Sequence, residues 1–391
     1  MNQKTRYKIA YILSVVAILL YGLMAAFLYY RQTLYPVTGA YESDLPFHIS
    51  MAVDDHWYYS FTAYVYVLCS LFPIGNQLIA AFLAAMSVGT VLLTAHLLKL
   101  LAGQEMQDHA FAGIRLGLAL ALNFAMAFYV PAANHAHYIG YQSGNLWHNS
   151  TYLVMRFFSV LAMILYVQTA ESFPEGLRPK QWICMTLCLI AATGVKPSFL
   201  VVFAPVLALF LLAWLIRQKQ WKPVILLGLT VIPAVVVMFW QSIVLFGGDT
   251  GNGYVIRPFY VLSQRSENPK ITLLLSVLFP FLVGLYHIRD FWKDRFYFGG
   301  LLLWAVGFGE VFLLAETGKR SQDANFLWGY SIALFFLFLV SLLRWLRDLK
   351  AVNAAPIRRA YLYLTGVLFL WHVCSGIWYF GILLTGATYF S

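Results

Sequence analysis

The sequence predicts an all-α polytopic membrane protein of about eleven crossings, and three observations carry that prediction. Of its 391 residues, 61% are hydrophobic, 17% aromatic and only 11% charged, whereas a soluble domain carries about 25% charge. A water-soluble fold of this size has too few charges to cover so much apolar surface. The apolar residues gather into runs near the ~20 residues that a crossing needs. Basic clusters alternate between those runs. Disorder and fibrous repeats are excluded by the same composition, and the +10 net charge is explained by membrane orientation without a nucleic-acid partner. No stretch between runs is long enough for a separate soluble domain, so residues 1–391 form a single integral membrane unit.

Taken in order, the runs fall near 8–30, 76–101, 112–131, 152–170, 181–195, 198–216, 222–246, 271–288, 296–315, 325–347 and 359–385. The first follows Lys4, Arg6 and Lys8 and is too long for a signal-peptide core, so it reads as a signal-anchor span. Between the first two runs, residues 31–75 form the first outer loop, expected to be helical in part, with 58–72 re-entering the membrane or lying at its interface. At Gly194-Val195-Lys196-Pro197 proline lacks an N–H and disfavours helical angles at the preceding residue. A tight turn between two short spans is expected there, because 181–216 is too long for one crossing.

With the N-terminus inside, 18 of the 26 Lys and Arg residues lie inside and 8 outside, and the clusters at 217–222, 289–295 and 344–359 all face inward. The positive-inside rule is satisfied, and the inner bases meet anionic lipid. Eight acids, Glu42, Asp44, Asp54, Asp55, Asp249, Glu267, Glu316 and Asp323, face outward. A plasma membrane, multi-pass location follows, with a cytoplasmic N-terminus and the chemistry outside. Cys69, Cys184, Cys188 and Cys374 all sit in apolar stretches, Cys184 and Cys188 share a helix face without an accompanying His or acid, and all four read as small core hydrophobes.

The outer face carries the candidate site. In the first loop Glu42, Asp44 and His48 interleave with Leu45, Pro46, Phe47 and Ile49, and Asp54, Asp55 and His56 follow. Carboxylates held against apolar surface acquire raised pKa values or fixed partners, which suits base chemistry. A second cluster contains Asn134, His135 and His137, then Trp147, His148 and Asn149. Aromatic faces beside amides match sugar rings, which stack and donate hydroxyl hydrogen bonds. Asn149-Ser150-Thr151 also spells a glycosylation sequon, a weak three-residue pattern. Lys196, Arg257, Arg265 and Lys270 offer charge for a lipid phosphate, and Glu316, Arg320, Asn325 and Trp328 complete the outer set. Glu310 sits inside the ninth span, where an acid is either functional or paired with a nearby base such as Lys196. A divalent cation among the outer histidines and aspartates stays open, since no compact ligand spacing is present.

These features resemble the GT-C superfamily of polytopic glycosyltransferases. Glu42-Ser43-Asp44 has the Glu-x-Asp form of that family's modified acidic motif, and Tyr58-Tyr59-Ser60-Phe61-Thr62-Ala63-Tyr64 is similar to its loop-to-second-span passage. The likeness covers the whole chain as architecture and about thirty residues as motif. It implies a sugar donor linked to polyprenyl phosphate, a glycan or lipid acceptor, and a single inverting displacement with Asp44 as base. Glu42 and His48 would position the acceptor or a metal, and Lys196, Arg257 or Arg320 would meet the departing phosphate. Two alternatives stand beside it: a polysaccharide polymerase or ligase, which Arg257 and Arg265 leave open, and a secondary transporter or flippase, which has the break at 194–197 in its favour and the lack of a second interrupted helix or internal repeat against it.

Overall fold

A computed structural model of the chain describes residues 2–37, 39–102, 108–135, 145–175, 178–246, 251, 253–321, 323–351 and 356–387. His137, Tyr138 and Asp249 lie outside the described residues. The first apolar run becomes α1, Gln3–Leu34, started by the Asn2 side chain accepting from Thr5 N–H and stopped before Tyr35-Pro36. Two short helices, α2 (Leu45–Val53) and α3 (Phe61–Ser70), occupy the first outer loop, with Pro46 in the first turn of α2 and Ser60 capping α3. Then come α4 (Gly75–Leu101), α5 (Ala112–Phe124), α6 (Ser150–Ser172), α7 (Pro179–Val195) and α8 (Ser198–Gln218). The rest comprises α9 (Trp221–Leu229), α10 (Ile232–Phe246), α11 (Tyr260–Arg265), α12 (Pro269–Tyr286), α13 (Arg295–Leu313), α14 (Phe326–Ala351) and α15 (Pro356–Leu384).

The protein is therefore helical and polytopic, and nine helical segments among the described residues are long and apolar enough to cross a membrane. Helix α14 is the axis of the bundle: 94% of its most apolar window is buried, against 17% for the α9–α10 segment at the periphery. Two runs differ from the sequence expectation. The run 112–131 is helical only to Phe124 and continues as extended chain, and the run 222–246 divides into α9 and α10 at Thr230-Val231. The turn expected at 194–197 is present, with α7 ending at Val195 and α8 starting at Ser198.

Extended backbone inside a bundle needs hydrogen-bond partners from elsewhere. Met126 N–H donates to His372 C=O and Phe128 N–H to Leu275 C=O, while His372 Nδ1 bonds the Met126 carbonyl. An element absent from the all-α expectation is a two-stranded antiparallel ladder, β1 (Tyr254–Ile256) with β2 (Leu314–Glu316). It fastens the loop after α10 to the loop after α13. The cysteine expectation is corrected too: only Cys188 is buried, with Sγ against Phe158 C=O, and Cys374 is exposed.

His287 closes the end of the bundle opposite α2 and α3. Its Nδ1 lies 3.0 Å from Asp290 and its Nε2 2.7 Å from Asp348, while Arg344 reaches Asp290 at 3.3 Å and Asp294 at 3.7 Å. The knot ties the ends of α12 and α14 to the start of α13.

Candidate functional site

At the end of the bundle that carries α2 and α3, a cavity of ≈ 1650 Å³ opens between the helices. The turn after α1 places Asp44 as the N-cap residue of α2, and the start of α6 supplies its partners. Asp44 N–H donates to His148 C=O at 3.1 Å, His148 Nε2 lies 3.1 Å from Asp44 Oδ1, and Asn149 Nδ2 donates to Oδ2 at 2.7 Å. Asn149 is itself the cap of α6, its Oδ1 accepting from Tyr152 N–H at 2.8 Å and from Thr151 Oγ1 at 2.7 Å. Because that oxygen is committed to the cap, the amide nitrogen must face Asp44. One asparagine thus starts a membrane helix and fixes a carboxylate. Burial alone would raise the Asp44 carboxyl, but the charge and hydrogen bond of His148, the charge of His48 and the Asn149 bond together hold it well below the usual range. Glu42 goes the other way: burial and the Asp44 charge raise it, opposed by His148.

His48, one turn along α2, shares a 2.6 Å hydrogen bond with the Tyr59 hydroxyl through Nδ1. Burial pushes this imidazole down to about 4, with Lys196 and His148 adding to the drop against Asp44, so His48 is neutral at neutral pH. Lys196, in the α7–α8 turn, lies 3.5 Å from Thr151 Oγ1 and 4.8 Å from the Trp328 ring centroid. Burial pushes its ammonium down to about 8, opposed by Asp44, Glu316 and Asp323 and reinforced by Arg320. Across the cavity Asn325 Nδ2 donates to both oxygens of buried Glu316, at 3.1 and 2.9 Å. Burial raises the Glu316 carboxyl despite that amide and Arg320. Gln241, in α10, donates to Tyr59 C=O at 3.0 Å and to Gly194 C=O at 2.8 Å, which joins α3, α7 and α10 beneath the cavity.

Glu42, Asp44, His48, His148, Asn149, Lys196, Glu316, Arg320, Asn325 and Trp328 all line this one cavity. Four other expected residues do not. Asp54 and Asp55 are exposed at the end of α2, outside the cavity lining. Arg257 lies over the Tyr260 ring, 3.9 Å from its centroid, on the outer side of the β1 segment. Trp147 is 1% exposed and packs against Phe124 and Phe380 below the cavity, where no sugar face reaches it. Glu310 makes no ion pair with Lys196 among the described residues; it lies near Gly329, where an added Cβ would come within 3.0 Å of its Oε2. Sequence reading names Tyr59 only within the aromatic passage 58–64 and not as a site residue, and it misses Gln241, although a single glutamine inside the run 222–246 is a legible signal. It also counts Arg156 with the outer bases, whereas Arg156 is buried in α6 at 6% exposure.

No group of three or more His, Cys, Asp or Glu side chains able to hold a metal ion forms among the described residues. Five carboxylates, Glu42, Asp44, Glu267, Glu316 and Asp323, line the cavity with two cations, Lys196 and Arg320, and Trp57, Tyr59, Phe239 and Trp328 supply aromatic surface. The chain matches no protein-family model, and no curated protein matches it.

Proposed function

We propose that the chain is a GT-C-like membrane glycosyltransferase that moves a sugar from a polyprenyl-phosphate donor to a glycan or lipid acceptor outside the membrane. The observation that carries this reading is the Asp44 carboxylate, fixed by His148 and Asn149, in the same cavity as Lys196 and Arg320. Eleven crossings are counted by taking α5 with 125–130 as one, α9 with α10 as one, and the 17-residue α7 as one.

In the proposed reaction the acceptor hydroxyl gives its proton to Asp44 as its oxygen attacks the anomeric carbon. The bond from that carbon to the phosphate oxygen breaks, and polyprenyl phosphate leaves with the electron pair. Lys196, Arg320 and the amino end of α8 oppose the charge developing on that phosphate. His148 and Asn149 each use one lone pair of Asp44, and an ionised carboxylate has about four acceptor sites, so lone pairs remain for the acceptor proton. Neutral His48 and the Tyr59 hydroxyl position the acceptor without competing for the phosphate.

The test uses purified full-length protein, polyprenyl-phosphate donors carrying radiolabelled hexoses or pentoses, and glycan and lipid acceptors. Transfer to acceptor with release of polyprenyl phosphate is expected. Asp44→Asn should lower the turnover by about 10²–10⁴-fold, the usual contribution of a positioned base, with the unfolding midpoint measured alongside. Full turnover in that variant would remove Asp44 from the mechanism. Movement of label across proteoliposomes with no glycosidic product would replace the enzyme by a transporter.

A further inference from the structure

Beneath the outer cavity, between α5, α6, α12 and α14, a second chamber of ≈ 40 Å³ is lined by Asn123, Trp147, Tyr152, Arg156, Ser276 and Ser331 among others. From the geometry we infer that this chamber is a binding site for one small monovalent anion of chloride type, held by Arg156. Arg156 is 6% exposed in the middle of the bundle, and its guanidinium stays protonated at any accessible pH. A buried charge costs several kcal/mol unless it is paired. The Phe335 ring centroid lies 3.9 Å from the guanidinium carbon, and the side chains that act electrostatically on its charge are the phenols of Tyr152, Tyr21 and Tyr29. No carboxylate among the described residues reaches it, and its Nε, buried, has no hydrogen-bond partner.

Of the chamber's other polar groups, Ser331 can donate to an anion, whereas the buried, unpartnered Asn123 Oδ1 can only accept and calls for a water beside the anion. Asn123 Nδ2 donates to the Tyr21 hydroxyl at 3.0 Å, and the hydroxyl of Ser331 is buried without a partner. Helix α5 ends at Phe124, beside the chamber, but a helix carboxyl end supplies only about half a negative charge. Size decides between anions. A water needs about 10–15 Å³ of this measure, so ≈ 40 Å³ takes one halide with one or two waters, and no phosphate ester or sugar. Tyr152 lies against Trp328 of the outer cavity at 5.1 Å between ring centroids, so the anion would brace the floor beneath His148 and Asn149.

The experiment titrates sodium chloride or bromide into purified full-length protein in lipid nanodiscs, at constant ionic strength held by sodium gluconate. The unfolding midpoint is read by intrinsic tryptophan fluorescence. A saturable rise on the order of a few degrees is expected with either halide. Arg156→Met should lose the response. Ser331→Asp places a carboxylate in the chamber, so it should fold with a raised midpoint and no halide response, which keeps the test decisive if Arg156→Met fails to fold. Equal midpoints in chloride and gluconate for the parent protein, or a full halide response in Ser331→Asp, would overturn the inference.

Discussion

Lys196 is the residue at which the proposed chemistry is most exposed to pH. Its ammonium is pushed down to about 8 by burial, with Asp44, Glu316 and Asp323 pulling the other way. Below that value Lys196 is charged and can hold a donor phosphate; above it the cation is lost. The KM for a polyprenyl-phosphate sugar is therefore expected to rise as pH passes about 8, and a bound phosphate moves the break upward by favouring the ammonium. Lys196→Arg, which stays charged, should remove the break, whereas an unchanged break in that variant would assign it to another group. Asp44 adds no acidic limb near neutrality, because its carboxyl is held below the ordinary range. Much of this residue set was legible from a polar or charged side chain placed beside an apolar run. Asn149 stands at the start of one such run, the position where an asparagine caps a helix, yet its second bond to Asp44 joins positions 105 residues apart. Spacing carries no trace of that bond. Arg156 was visible as a lone arginine in the run 152–170, but only the packing shows that no acid accompanies it.

Hydrophobic length located the elements well and their interruptions poorly. Apolarity continues past Phe124 into Ala125-Met126-Ala127-Phe128, so nothing in the composition stops α5 there. What stops it is a close approach by another element: an added Cβ at Gly376 of α15 would overlap the Phe124 carbonyl oxygen. Only glycine lets α15 lie against the end of α5, where His372 and Leu275 then accept the hydrogen bonds of the extended backbone. Gly376→Ala is therefore expected to destabilise the protein by about 1–3 kcal/mol, the usual range for overpacking, because the obstructing atom is backbone. Gly381→Ala is the matched control on the same helix, since a Cβ there meets nothing within 4 Å, and it should stay within about 0.5 kcal/mol. Unfolding midpoints measured in detergent compare the pair, and equal losses would contradict the packing argument. The same element also marks where sequence reading ends, because Gly376 and Phe124 meet only in the folded bundle.

Across the whole molecule the two ends differ in chemistry. The end bearing the cavity holds Asp44, Lys196, Glu316 and Arg320 within one enclosure. The opposite end carries the start of α9 with Lys222 exposed, the start of α15 with exposed Arg358 and Arg359, and the His287 knot. Lys and Arg resist translocation and meet anionic lipid on the cytoplasmic side, so on the proposed orientation this basic end is the cytoplasmic one. Alternation of the helices between these two ends was readable from the charge clusters, while the cavity itself was not, since it is built from loops far apart in the chain. On the proposed orientation Asp54 lies outside the cell and Lys222 inside. In a background with Cys69, Cys184, Cys188 and Cys374 replaced by alanine, single cysteines at Asp54→Cys and Lys222→Cys separate the two orientations. Both positions are exposed, and Asp54 does not line the cavity, so labelling leaves the candidate chemistry untouched. A membrane-impermeant maleimide is expected to modify Asp54→Cys in intact cells and Lys222→Cys only after the membrane is opened. The reverse pattern would turn the cavity toward the cytoplasm. Lipid-linked sugars presented outside could not then reach Asp44, and the glycosyltransferase reading would need a cytoplasmic donor.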